Sequence, residues 1–163
     1  MNKHEQRMCE LQADLFELSS LYFSCGSAFF IARFMQSPPA KELDNFDDPY
    51  NFTSPNNILS YMKEKYPTLN NKRGKQYPIS ILRWMGYAYR AWGIITRKSS
   101  YRLYKNMKVE KLLSLYDSFH TFSIEYCVER LDEIAFEKKK ELDDYEIYKR
   151  IISQKAKNKR LKI

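Results

Sequence analysis

The sequence is poor in residues that break regular structure and in residues that most often carry chemistry. It holds 4 glycines and 6 prolines in 163 residues, which disfavours the frequent tight turns of a many-stranded fold. The three cysteines, Cys9, Cys25 and Cys127, are far apart and odd in number. They predict neither a disulfide framework nor a Cys-x-x-Cys metal site, and we expect them to be small buried side chains.

Long apolar runs are also missing. A helix that crosses a bilayer needs about 20 apolar residues, and the best candidate, 21–35, is interrupted by Ser24, Gly26 and Arg33. The start of the chain carries Glu5 and further acidic residues, so it lacks the form of a secretory signal. We therefore expect a cytoplasmic protein with no membrane partner, of bacterial or phage origin.

Candidate catalytic groups are few. Of the two histidines, His4 lies in a terminal turn, and His120 lies between two predicted helices. His120 is either a general base with Asp117 or a cap on the carbonyl end of a helix, and we favour the cap. Gly74 stands alone in its loop, so no phosphate-binding glycine loop is present. The sequence predicts a binding protein rather than an enzyme, with no cofactor and no metal site.

What the sequence does have is helical periodicity. Apolar residues recur at spacings of three and four in several segments, and the longest predicted helix runs from Pro78 to Thr96. Ser54-Pro55 and Ser99-Ser100 are typical helix starts. We expect an all-α fold: a single compact multi-helix domain over 1–136, with its core in 20–135. A lysine-rich helical extension and tail, 137–163, follows it.

Positive charge is concentrated in one block. Residues 72–111 hold 11 basic side chains and one acidic one, whereas residues 1–71 hold 6 basic and 9 acidic ones. Aromatic rings alternate with the cations, so the block either contacts nucleic acid or buries its rings and leaves its cations solvated. Its charge attracts phosphates or an acidic protein surface. The residues predicted to bind a partner are Arg83, Arg90, Trp92, Arg97, Lys98, Arg102, Tyr104, Lys105, Tyr116 and His120.

Several short motifs in residues 20–135 are similar to those of a known family. They are Phe29-Phe30-Ile31-Ala32-Arg33-Phe34-Met35, Tyr89-Arg90-Ala91-Trp92, Ser99-Ser100, and Tyr116 with His120-Thr121. With these motifs the chain resembles small bacterial antitoxins that are encoded beside ADP-ribosyltransferase-like toxins in Firmicutes and their phages. The lysine-rich tail and the cations Lys98 and Arg102 depart from the family pattern.

The resemblance implies a function without catalysis. An antitoxin of this kind covers the cleft of its cognate toxin, which binds NAD and a target. The alternative is a nucleic-acid-binding regulator that uses the 72–111 block and the C-terminal tail, with an affinity that falls steeply with salt. A phage protein that needs only a protein partner is a third hypothesis.

Overall fold

The fold is all-α, as the sequence predicts. The computed structural model describes residues 1–45, 53–137, 145–149 and 152. In 1–45 and 53–137 the chain forms nine α-helices and a final π-helical turn, and it forms no strand. The helices are α1 (Lys3–Tyr22), α2 (Ser27–Phe34), α3 (Pro38–Leu43), α4 (Pro55–Lys65), α5 (Thr68–Asn71), α6 (Ile79–Thr96), α7 (Ser100–Asn106), α8 (Val109–Phe119) and α9 (Ile124–Asp132), followed by the π-helical turn Glu133–Glu137.

Local sequence explains where most helices begin. Asn2 and Glu5 form a capping box at the start of α1, with reciprocal bonds of 2.8 and 2.9 Å. The side chains of Ser54, Ser99 and Ser123 accept backbone N–H groups at the starts of α4, α7 and α9. These bonds satisfy donors that have no partner inside the helix. The predicted N-caps at Ser54 and Ser99 are confirmed.

Two segments differ from the sequence prediction. The polar, basic composition of residues 68–77 predicts a loop, but its first part forms the short helix α5, because Leu69 inserts into the core with no exposed surface. The apolar spacing from Ile124 to Ala135 predicts one continuous helix, but α9 ends at Asp132. The π-helical turn that follows brings the ring of Phe136 edge-on to Trp92 at 6.1 Å. In both places a buried apolar contact overrides the local pattern.

The predicted C-terminal extension lies mostly outside the described residues. Residues 145–149 are helical and exposed, in agreement with the expected solvated helix. Among the described helices, none combines the length and the apolar composition needed to cross a bilayer.

The core is built where α1 and α6 cross in antiparallel directions. Gly86 of α6 faces the backbone of Gln12 and Ala13, and a Cβ atom at Gly86 would overlap the Gln12 carbonyl oxygen. The two helices therefore approach more closely than a larger residue allows. On the other side of α1, Phe16 packs edge-on against Phe30 at 6.3 Å, so α2 joins the same core.

The cysteines belong to this core, as predicted. All three are buried and free. Burial raises the pKa of Cys9 to about 12 and that of Cys127 to about 11, and it also raises the pKa of Cys25. A thiol with so high a pKa carries little thiolate at neutral pH and is a poor nucleophile or metal ligand.

Candidate functional site

Arg83 lies at the edge of the α1–α6 contact and is surrounded by carboxylates. Its guanidinium donates to Asp14 at 2.5 Å, Glu17 at 2.6 Å and Glu10 at 3.0 Å, all on α1. The hydrogen bonds that Arg83 donates to Glu17 and Asp14 raise the pKa of Arg83. Three carboxylates face one cation, so this predicted partner-binding residue lies in a region that is acidic overall.

His120 and Tyr116 lie together at the end of α8. The Nδ1 atom of His120 is 2.9 Å from the carbonyl oxygen of Tyr116, so Nδ1 carries the proton and donates it. The two rings stack with their centroids 4.6 Å apart. Among the described residues no carboxylate contacts the His120 ring, and the helix-capping interpretation is confirmed.

Further aromatic rings extend this cluster on both sides. Trp84 of α6 meets Tyr116 edge-on at 5.4 Å. Phe122 lies 5.5 Å from the ring of Phe119 and 4.9 Å from that of Tyr126. Phe122 keeps 42% of its surface exposed and Tyr126 keeps 45%, so large apolar rings face solvent here. Such rings are common at the centres of protein interfaces.

A groove of about 310 Å³ lies between the α1–α6 pair and the turn from α8 to α9. We call it the aromatic groove, and its lining residues are Glu10, Ala13, Arg83, Trp84, Tyr87, His120, Phe122, Ile124 and Cys127. Burial raises the pKa of Tyr87, and the carboxylates of Glu10 and Glu125 add to this effect. The groove thus combines aromatic walls with the Glu10–Arg83 ion pair, and further carboxylates of α1 lie at its edge.

Two of the predicted partner-binding residues are buried. Arg90 is 1% exposed, and its side chain donates to Gln12 at 2.9 Å, to the Leu43 carbonyl at 2.9 Å, to Asp44 at 3.0 Å and to Ser100 at 3.2 Å. Burial lowers the pKa of Arg90, and the Asp44 carboxylate opposes that effect. The side chain ties α1, α3, α6 and α7 together. Arg90 is predicted from the sequence to bind a partner, but it is buried because this side of α6 packs against α1.

Trp92 is likewise enclosed. It has no exposed surface, and its indole N–H donates to Asp132 at 2.7 Å. Lys98 donates to both oxygens of the same carboxylate, at 2.5 and 2.7 Å. The polar groups of both side chains are therefore satisfied within the chain, which gives Trp92 a packing role in this structure.

The remaining predicted residues lie around α7, away from the aromatic groove. Arg97 ends α6 in the left-handed conformation, with φ of 53°. Arg102 lies 5.3 Å from the ring of Phe136, and Lys108 covers the ring of Tyr104 at 3.9 Å. Lys105 is exposed. The structure thus brings Arg83 and His120 into one groove, with Tyr116 stacked behind His120, and leaves the α7 group separate.

Sequence reasoning missed Glu10, Tyr87, Phe122 and Tyr126 as site residues. The available signal was the cluster of aromatic residues at 116–126, on both sides of a helix break. Aromatic residues on both sides of a helix break cannot all lie on the buried face of one helix, so some of these rings are expected at the surface.

Comparison of this chain with family models, curated proteins and solved structures found no match. The resemblance to antitoxins therefore stays a prediction that depends on the motifs quoted above. Among the described residues, no three His, Cys, Asp or Glu side chains are grouped closely enough to hold a metal ion.

Proposed function

We propose that this chain is an antitoxin-like binding protein that neutralises a cognate toxin by covering its cleft, with the aromatic groove as the docking site. The observation that carries the proposal is the half-exposed pair Phe122 and Tyr126 beside the rings of Trp84 and His120. Interfaces draw most of their binding energy from a few aromatic and arginine side chains in such positions.

The rings of the groove are already held in place. Tyr116 is stacked on His120 and touched by Trp84, and Phe122 packs against Tyr126. Because these side chains have few rotamers left to lose, binding costs less conformational entropy than it would for free side chains. A preformed surface of this kind supports tight binding.

The charge of the groove indicates the chemistry of its partner. Glu10 and Arg83 line the groove and are paired with each other. Asp14 and Glu17, which also pair with Arg83, lie beside the lining and make the edge of the groove acidic, and Glu125 adds a negative charge near Tyr87. A partner surface that carries arginine or lysine complements this groove. A cleft that binds NAD must hold a negatively charged pyrophosphate, so cationic groups are expected in it. An acidic, aromatic surface suits such a cleft.

The test is co-expression with the protein encoded beside this chain. We expect the two proteins to co-purify and the chain to restore growth. Phe122→Ala and Tyr126→Ala should each weaken the complex by about 30-fold, the effect of losing roughly 2 kcal/mol at an interface hot spot. Affinity is measured by titration calorimetry of the purified pair.

Tyr22→Ala is the matched control. Tyr22 is 47% exposed, close to the exposure of Tyr126, but it lies at the far end of α1. Its loss should leave partner binding unchanged. If Phe122→Asp and Tyr126→Asp variants keep their helical circular dichroism and still bind and rescue as the original chain does, the aromatic groove is not the docking site.

A further inference from the structure

A second charged surface lies in the segment between α5 and α6. Residues 72–75, here called the basic loop, have the sequence Lys-Arg-Gly-Lys. They lie against residues 23–27, which form the turn after α1 and the first residue of α2. The Gly74 N–H donates to the Ser24 carbonyl at 3.0 Å, and the Ser27 N–H donates to the Lys75 carbonyl at 3.0 Å. Backbone hydrogen bonds therefore fix two positions of the basic loop, Gly74 and Lys75, against residues 23–27.

Side chains and glycines complete this attachment. The Ser24 hydroxyl donates to the Lys72 carbonyl at 2.9 Å. Gly26 has a φ of 85°, and a Cβ atom on it would overlap the backbone of Gly74. A Cβ atom on Gly74 would in turn overlap the Cys25 carbonyl oxygen. The two glycines allow backbone to pack on backbone. The basic loop is thus held in one defined conformation although its side chains are exposed.

The cations of this surface are not neutralised by the described residues. Lys72 lies 4.4 Å from the ring centroid of Phe29, and Arg33 lies 5.7 Å from the same ring. Neither side chain, nor that of Arg73 or Lys75, forms an ion pair with a carboxylate in the described part of the chain. A cation stacked on a ring keeps its hydrogen-bond donors available for phosphate oxygens.

An exposed aromatic ring lies next to these cations. Tyr22 and Arg73 line the same open cavity of about 620 Å³, together with the amide side chains of Asn70 and Gln76. The last carboxylate of α1, Glu17, is paired with Arg83 and does not offset the charge of the basic loop. Proteins that bind single strands combine such a ring, on which a base stacks, with cations that follow the backbone.

We infer that the basic loop, Arg33 and Tyr22 form a binding surface for single-stranded nucleic acid. The cations contact phosphates, and the Tyr22 ring stacks on a base. DNA and RNA both present phosphates and base faces, so the surface should bind either of them. Because neither contact involves a base edge, it should have little sequence preference. This binding does not depend on the proposed protein partner, because the basic loop and the aromatic groove share no lining residue.

The test is fluorescence anisotropy of the full chain with labelled oligo-U and oligo-dT of about 12 nucleotides. Four phosphate contacts predict a slope of about −3 for log K against log salt, so affinity should fall roughly 50-fold between about 50 and 200 mM salt. The Lys72→Ala/Arg73→Ala variant should bind more weakly and reduce the slope to about −1.5. Tyr22→Ala should cost roughly tenfold in affinity with the slope unchanged.

Two matched control variants test whether oligonucleotide binding needs this surface, or only positive charge or an exposed ring anywhere on the protein. Lys3→Ala/Arg7→Ala removes the same charge from the start of α1, about 23 to 29 Å from Tyr22 along the helix. Tyr126→Ala removes a ring of similar exposure that packs against Phe122 beside the aromatic groove. Both should bind oligonucleotides as the original chain does.

Three outcomes would overturn the inference. The first is no binding at low salt. The second is equal binding by the original chain and the Lys72→Ala/Arg73→Ala variant, which would place any affinity elsewhere in the chain. The third is displacement by poly-glutamate as effective as that by unlabelled oligo-U, which would indicate an acidic protein as the ligand. An Arg33→Gln/Lys75→Gln variant repeats the measurement with the other two cations.

Discussion

Residues 72–111 contain two regions that differ in whether their cations are paired with carboxylates. On α6 and just after it, Arg83, Arg90 and Lys98 are paired with carboxylates from α1, from the residue that ends α3 and from α9. In the basic loop, Lys72 and Arg73 have no such partner among the described residues. The cations on and just after α6 therefore stabilise the fold through ion pairs, whereas the cations of the basic loop stay available to bind a partner.

The two regions are also held in different ways. The helix region depends on side-chain bonds, such as the four that Arg90 makes. The basic loop depends on backbone bonds and on two glycines in contact. Loss of a cation should therefore destabilise the fold in the helix region and change only binding in the basic loop.

The largest effect is expected for Arg90→Met. The change leaves the buried Gln12 amide and the largely enclosed Asp44 carboxylate without their cation, and breaking a buried ion pair typically costs about 3–5 kcal/mol. The measurement is the free energy of urea unfolding followed by circular dichroism. Lys105→Met, which removes an equal charge from an exposed site, is the control. Similar unfolding curves for the two variants would contradict the structural role of Arg90.

Gly74→Ala should have the next largest effect. The new methyl group overlaps the Cys25 carbonyl oxygen, so the basic loop must move away from residues 23–27. We expect a loss of about 1–3 kcal/mol in unfolding free energy, the usual cost of a local backbone clash. Asn71→Ala, at an exposed neighbouring position, should leave the stability unchanged. Hydrogen exchange of the Gly74 and Ser27 amides should report the same loosening, and full protection of both in the variant would refute it.

A smaller effect is expected for Arg83→Gln. The side chain is 39% exposed, so solvent screens its ion pairs, and the loss should be about 1 kcal/mol. Glu10, Asp14 and Glu17 then repel one another across successive turns of α1. Because salt screens exposed charges, the loss should shrink in about 1 M NaCl. A loss that is independent of salt would mean that Arg83 stabilises the fold by packing rather than by charge.

The smallest effect is expected for Arg73→Ala. Its side chain is exposed and makes no ion pair among the described residues. The urea midpoint should not shift measurably, whereas oligonucleotide affinity should fall. A clear loss of stability in this variant would contradict the division between the two regions.

Much of the fold could be predicted from the sequence. The Pro78–Thr96 prediction differs from α6 by one residue, and Ser54 and Ser99 cap the helices expected of them. These features depend on near neighbours in the chain, where periodicity and capping chemistry act. His120 was placed correctly as a cap for the same reason.

The candidate site was less accessible from sequence. Tyr116 and His120 were predicted to bind a partner. Glu10, which lies more than 100 residues earlier in the chain, was not, because no local sequence pattern indicates that it lies in the same groove as His120. Arg90 and Trp92 were expected at a binding surface because their types are common there. Their burial depends on Asp44 and Asp132, which lie far from them in sequence.

By itself the sequence determined most of the helices and their starts, the burial of the cysteines and the concentration of charge in 72–111. Each of these follows from composition or from residues within a few positions of one another. Only the tertiary structure decided which cations meet carboxylates and which stay exposed. The reason is that ion pairing depends on distances of a few ångströms between helices, and packing sets those distances. Their sequence surroundings do not show which of Arg83 and Arg73 pairs with carboxylates. In the structure, carboxylates of α1 pair with Arg83, whereas Tyr22 of α1 lines the same cavity as Arg73.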